Sequence, residues 1–307
     1  MHSNPLLVKL FFELIQVSLG QRDRLSKCPN ETEWDELYAI CQQQAVAGVA
    51  FPALDKLSKQ GQKPPQDLLF DWLGLSEQVK AQNVLMNREV ARLTRIFEDA
   101  GHRTTILKGQ ANARLYPHPL SRQPGDIDIW VDGGRPKVVN MLIRTGLLKE
   151  APVFSNVGNP NKATDSYHHV HLPVNEQGVT VEVHFRPSSG NYNPITNRRL
   201  QKWLEREIEN ITPIAVLQTT PAEDCSIKTQ SPDSGGEVPT FNVPSTAFAL
   251  VMQLAHIQRH FMSSGIGMRQ VMDYYFLLKT GNNNQLHNGN NTKHMKGTVQ
   301  IIFYLKI

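Results

Sequence analysis

The chain has 307 residues, 40% of them apolar and 20% charged, which is enough for a real core and for two compact domains or one elaborated domain. A net charge of +4, with no block of like charges, suits an anionic ligand and argues against a long nucleic-acid track. Cys28, Cys41 and Cys225 are far apart and match no metal-ligand spacing, so they read as reduced thiols of a cytoplasmic protein.

In chain order, NPLLVKLFFELIQVSL carries Leu7, Phe11, Ile15 and Leu19 at intervals of four. Lys9 and Glu13 interrupt its apolar run, so it reads as an amphipathic core helix and not as a targeting signal. No run reaches the roughly 20 apolar residues of a membrane span, and no membrane partner is expected. ETEWDELYAICQQQAVAGVAFPAL reads as further helix, with Thr32 suited to its start and Asp35 three residues on. The stretch from Pro64 to Gly101 places Leu75, Val79, Val84, Val90, Leu93 and Ile96 at helical spacing. Residues 1–100 are therefore expected to form a helical N-terminal region.

At Gly101 the pattern changes. RTTILKG reads as a short strand, QANARLYP as one or two helical turns stopped by prolines, and DIDIWVD as a strand of period two. RPKVVNMLIRTGLLKE reads as a helix with Pro136 in its first turn. HHVHLPV and VTVEVHF are two strands around a hairpin-like NEQG turn. Residues 101–190 thus form an expected α/β core. A helical C-terminal region follows over 191–280, interrupted by a Pro-, Ser- and Gly-rich surface excursion at 218–243. Residues 281–307 are Asn-rich and read as a poorly ordered tail, or as the product of a truncated or shifted reading frame.

Strand alternation puts Asp126, Asp128, Trp130 and Asp132 on one face, with Ile127, Ile129 and Val131 on the core face. The same rule pairs Glu182 with His184. If the two strands share a sheet with these faces aligned, Asp126, Asp128 and Glu182 converge. Clustered carboxylates stay ionised together only with cations between them. Oxygen ligands select hard ions, Mg²⁺ or Mn²⁺, and two such ions can activate a hydroxyl and stabilise a leaving pyrophosphate. Aspartate is disfavoured in strands, so two on one short strand call for compensation. Gly125 just before them allows close approach of backbone or ligand. Asp132, near the strand end, reads as a turn acid.

The segments ILKG, RQPGDIDIWV and VEVH, followed by HIQRH and RQVMD, resemble the nucleotidyltransferase superfamily with the polymerase-β-like fold. More closely they resemble the bacterial family described as uncharacterised nucleotidyltransferases, over about residues 30 to 280. The resemblance implies an α+β fold, with a mixed sheet and flanking helices between helical N- and C-terminal regions. It implies that Asp126 and Asp128 are metal ligands, that Glu182 is the third catalytic carboxylate, and that Lys108 and Gly109 hold the triphosphate. Most superfamily members carry a Gly-Ser pair at that turn; here it is Lys-Gly-Gln, where Lys108 supplies a cation and Gly109 exposes backbone N–H groups. The implied reaction is Mg²⁺-dependent transfer of a nucleotidyl group from a nucleoside triphosphate such as ATP, releasing pyrophosphate. The acceptor stays open among a small molecule, a sugar, a protein hydroxyl and an RNA end. The rival is a non-catalytic nucleotide-binding or interaction module on the same fold.

Arg122 is either a phosphate clamp or the partner of a neighbouring acid, and the motif favours the clamp. His168, His169 and His171 invite a zinc reading, but the nearby acids favour harder ions. His171 and His184 are either site contacts or packed strand residues. His256 and His260 share a helix face, as do Arg269 and Asp273. They form either a polar seam between two helices or a cleft wall that binds the base or acceptor. Trp130 either stacks on a base or covers its strand.

Overall fold

The computed structural model describes residues 4–154, 164–165, 167–190, 193–216, 239–263 and 265–287. Five helices open the chain: α1 (Pro5–Ser18), α2 (Glu31–Gln43), α3 (Ala47–Ala50), α4 (Pro52–Ser58) and α5 (Gln66–Asp99). Asn4 caps α1, accepting from the Leu6 N–H, and Pro5 stands in its first turn. Helix α2 starts before Thr32. Asn30 is its N-cap and Glu33 closes a capping box, because an Asn followed three residues later by Glu satisfies two orphan N–H groups that Thr32 with Asp35 would leave open. Leu10, Leu14, Trp34, Leu37, Leu54 and Trp72 bury one core among these helices.

Helix α5 turns inward a stripe that keeps Val79, Val90 and Leu93 of the expected set and adds Trp72, Met86 and Phe97. Trp72, Val79, Met86, Val90, Leu93 and Phe97 are buried, while Leu75, Val84 and Ile96 flank the stripe half-buried. The rings of Trp72 and Phe97 set the centre of the face, since the largest side chains gain most from burial.

The mixed sheet follows, built from β1 (Thr104–Ile106), β2 (Ile127–Val131), β3 (Val153–Phe154), β4 (Thr164–Asp165), β5 (His169–His171) and β6 (Val181–His184). Their order is β1-β2-β6-β5-β4-β3. β1 runs antiparallel to β2, β2 parallel to β6, and β6 antiparallel to β5. Helix α6 (Gln110–Ala113) follows β1 and α7 (Gly134–Arg144) follows β2. Both faces of β2 are covered. Ile127, Ile129 and Val131 pack with α5 and α7 residues such as Met86, Leu93, Val138 and Leu142. Trp130 is buried with Leu200, Leu204, Phe248 and Val251, so it covers its strand and does not offer a ring to a base.

Those partners come from α8 (Pro194–Glu207) and α9 (Thr246–Ser263); α10 (Met268–His287) packs on α9. Helix α10 runs through 281–287, the first residues of the Asn-rich segment, and 288–307 lie outside the described residues. Two strands stand where the sequence gives little strand signal: β7 (Ile211–Ala215) and β8 (Thr240–Pro244) pair antiparallel. β7 contains Pro213, and β8 ends the stretch read as a surface excursion. β8 is held by tertiary contacts: Asn242 donates to the Thr104 carbonyl at 3.0 Å and to Glu98 at 2.6 Å, while Phe241 and Val243 are buried. The rest of that excursion, 218–238, lies outside the described residues. Among the described residues no helix is long and apolar enough to cross a membrane.

Candidate functional site

The parallel register of β2 and β6 sets Asp128 directly opposite Glu182 and Trp130 opposite His184. The antiparallel register of β6 and β5 adds His171 beside Glu182 and His169 beside His184. Side chains at paired positions share a face, so two carboxylates and three imidazoles project together. Asp126 sits one residue before β2 and faces the same cleft. This cleft has a volume of about 330 Å³. Lys108, Asp126, Asp128, Glu182 and His184 line one side, and His256, His260, Arg269 and Gln270 the other. Of the two alternatives for His256 and His260, the structure has them lining the cleft, with ring centroids 4.4 Å apart.

Asp128 is 1% exposed. Its Oδ1 lies 3.1 Å from His184 Nε2, and its Oδ2 lies 3.1 Å from Lys108 Nζ as an ion pair. Among the described residues no hydrogen-bond donor is aligned on Oδ2. Burial pushes the Asp128 carboxyl up, but Lys108 and His184 outweigh it and hold it below the usual carboxylate range. Burial likewise pushes the Lys108 ammonium down, yet Asp128, Asp126 and Glu182 together hold it above its usual range. Burial also disfavours charge on His184, but hydrogen bonds to Asp128 and Glu182 raise it to about 9. Glu182 is pushed up by burial and pulled down further by His184 and His169, to about 2. On the opposite wall burial, then Lys108, lowers His256 to about 3. The site is therefore a charge-alternating cluster: carboxylates interleaved with one ammonium and one imidazolium.

A hard divalent cation fits this donor set. Asp126, Asp128 and Glu182 face one cleft, and Asp128 Oδ2 is a buried oxygen without an aligned donor.

The turn after β1 brings Lys108 and Gly109 beside the acids. Gly109 has φ +61° and ψ −109°, a conformation closed to side-chain-bearing residues, and a Cβ there would stand 3.5 Å from the Asp126 carbonyl. At Gly125 a Cβ would come within 3.2 Å of Arg269 Nη1. The bare backbone lets that guanidinium lie over the loop and donate to the carbonyls of Gln123 and Pro124 at 3.2 and 2.9 Å.

Arg122 lines the wall of the site, but its fork is engaged. Nε and Nη2 donate to Asp273 Oδ1 and Oδ2 at 2.8 and 2.7 Å, and the Tyr116 hydroxyl donates to Oδ1 at 2.7 Å. Of the two alternatives for Arg122, the structure has the ion pair with an acid. That acid is distant in sequence and is carried on α10. The i, i+4 spacing of Arg269 and Asp273 does not reveal it, because Asp273 serves Arg122 across the fold. Asp132 is a turn acid that pairs with His102 at 3.1 Å and Arg103 at 3.4 Å.

Behind the site lies a buried polar patch with no motif. Asn83 on α5 donates through Nδ2 to the carbonyls of Leu120 and Arg122 at 2.7 and 2.8 Å. Gln110 Nε2 bridges Asn83 and Asn87 at 3.1 and 2.9 Å. These amides hold the loop that delivers Asp126 and Asp128. The available signal was polar residues on the apolar face of a helix, a placement that demands partners.

The fold and site together define a mixed α+β protein with a carboxylate-bearing strand pair at one cleft. A family model described as uncharacterised nucleotidyltransferase matches residues 30–294, most of the chain, and the chain belongs to that family. No curated protein matches it. One solved structure, an antigenic nucleotidyltransferase-like protein from Paracoccidioides brasiliensis, is similar over 72% of this chain and 88% of that one, at 10% identity and a TM-score of 0.36. The family assignment does not rest on that likeness.

Proposed function

We propose that the protein is a Mg²⁺-dependent nucleotidyltransferase, moving a nucleoside monophosphate group from a triphosphate such as ATP to a hydroxyl acceptor in the cytoplasm. The observation that carries this reading is the register of β2 with β6, which sets Asp128 against Glu182 with Asp126 at the same cleft. Asp126, Asp128 and Glu182 would hold the metal, with Mn²⁺ as an alternative to Mg²⁺. When bound, a divalent ion there neutralises triphosphate charge and makes an acceptor hydroxyl easier to ionise. Lys108 adds a fixed ammonium beside the acids, and the Gly109 turn brings backbone N–H groups near the same edge. Arg122, tied to Asp273, keeps the loop before Asp126 in place and presents positive charge at the cavity wall. His256, His260 and Arg269 form the facing wall, where the base or acceptor would lie. Burial, then Lys108, keeps the His256 ring neutral at ordinary pH, so it would serve as a hydrogen-bond partner for the base or acceptor on that wall.

The test is pyrophosphate release from a panel of nucleoside triphosphates with Mg²⁺ and a broad set of alcohol, sugar, protein and RNA acceptors. Asp126→Ala with Asp128→Ala should abolish it, and unchanged turnover would overturn the reading. One observation favours a second reading, a non-catalytic nucleotide-binding module: Lys108 and His184 already neutralise Asp128 from within the protein. Calorimetry with triphosphates, with and without Mg²⁺, separates the two. Binding without turnover on any acceptor supports the module.

A further inference from the structure

The imidazoles beside the carboxylates carry chemistry that nucleotidyl transfer does not use. We propose that His168, His169, His184 and Glu182 form a site for a borderline transition-metal ion of the zinc or cobalt(II) class, beside the hard-ion ligands Asp126 and Asp128 and sharing Glu182 with them.

The four side chains are linked in a chain of close contacts. His168 Nε2 lies 3.0 Å from His169 Nδ1, His169 Nδ1 lies 3.4 Å from Glu182 Oε2, and His184 Nε2 lies 3.3 Å from the same Oε2. Around a tetrahedral ion with ligands at about 2.0–2.1 Å, neighbouring ligand atoms are roughly 3.3–3.4 Å apart. The three contacts therefore approximate three of the six edges of one such tetrahedron. His168, His169 and His184 also offer one nitrogen each within 4.8 Å of one another. Three imidazoles with one carboxylate select Zn²⁺, Co²⁺ or Ni²⁺ over Mg²⁺, because nitrogen donors bind the softer ions better.

The surrounding groups orient the rings as metal-binding imidazoles need. His184 Nδ1 lies 3.3 Å from the Arg186 carbonyl oxygen, which can only accept, so this nitrogen keeps its proton, while Nε2, which donates to Asp128 and Glu182 in the metal-free protein, gives up its proton to bind the ion. His169 Nε2 lies 2.9 Å from His171 Nε2, which fixes the second ring while Nδ1 faces Glu182. Both rings are buried at paired positions of adjacent strands, so their positions are set by the sheet and not by a loop. The sequence spacing concealed this arrangement. His168 stands just before β5, next to His169 in sequence, and only the β6 register brings His184 to them.

The proposal shares Glu182 with the reading above but does not depend on nucleotidyl transfer. It is tested on the full chain, stripped with a chelator and titrated with Co²⁺ in the absence of nucleotide. The expected result is a saturable tetrahedral d–d absorption that Zn²⁺ displaces and excess Mg²⁺ does not. His168→Asn with His169→Asn should remove the band, with circular dichroism confirming the fold. The half-buried His168→Asn alone should weaken Co²⁺ binding at least about tenfold. Asp126→Asn should keep the band. No band beyond that of free Co²⁺, a band unchanged in the histidine variants, or one lost equally in Asp126→Asn overturns the proposal. Failure of the nucleotidyltransferase reading would instead appear in pyrophosphate release, with this spectrum intact.

Discussion

Asp273→Asn probes how the site is held. The Arg122 and Asp273 side chains are 6% and 3% exposed, so the pair has little solvent screening. Burial alone would push the Arg122 guanidinium down, yet the charge and hydrogen bonds of Asp273 raise it above its ordinary value. Removing the carboxylate leaves a buried cation that keeps one amide oxygen, and it weakens the acceptor for the Tyr116 hydroxyl. Breaking a buried pair from one side costs about 3–5 kcal/mol. Because Asn retains an acceptor, the lower end applies, about 3 kcal/mol, equivalent to roughly 6–12 °C in Tm. Arg122→Met should cost a similar amount. The double variant Arg122→Met with Asp273→Asn should cost clearly less than the sum, because it removes both charges. Chemical and thermal unfolding of the four proteins give the coupling directly. An Asp273→Asn protein within about 1 kcal/mol of the parent, or singles that simply add, would show that this pair does not hold the loop before Asp126.

Other outcomes follow from the same structure. In metal-free protein the His184 proton should persist to about pH 9, because Asp128 and Glu182 both hydrogen-bond the charged ring despite its burial. Its folded value lies above the ordinary 6.5, so the stabilisation is full below pH 6.5 and is lost as pH rises through 9; an NMR titration of the ring that breaks near 6.5 would contradict it. Asn83→Ala should cost about 2–3 kcal/mol in urea unfolding, since the carbonyls of Leu120 and Arg122 lose their buried donor. Under the proposed function it should also lower turnover by loosening the Asp126 loop. Gly48→Ala should destabilise by about 1–3 kcal/mol, because a Cβ there would meet the Ser121 carbonyl oxygen at 2.5 Å with only backbone to give way; a variant as stable as the parent would show that α3 moves freely.

Much of this molecule is local in origin and therefore legible along the chain. Period-two alternation in DIDIWVD and VTVEVHF sets which residues face the core, whatever lies beside the strands. That is why Ile127, Ile129 and Val131 are buried on one side of β2 and Asp128 projects from the other. Helix α2 shows the limit even of local signals: Thr32 with Asp35 marked the expected start, and Asn30 with Glu33, which completes both capping hydrogen bonds, sets it two residues earlier.

The chain order does not contain the partnerships. Asp273 lies 151 residues from Arg122, and nothing in either segment names the other. Strands β7 and β8 exist because Asn242 and its neighbours find partners on β1 and α5, although their own composition favours a loop. The imidazole cluster depends on two strand registers at once. A one-residue slip in either would turn His169 or His184 to the opposite face. Residue types and their alternation are written locally, whereas charge pairing, register and desolvation are properties of the packed chain. For that reason the acids that face this cleft, with Lys108 and His184, stand out along the chain, but which of them pair and how burial shifts their charge do not.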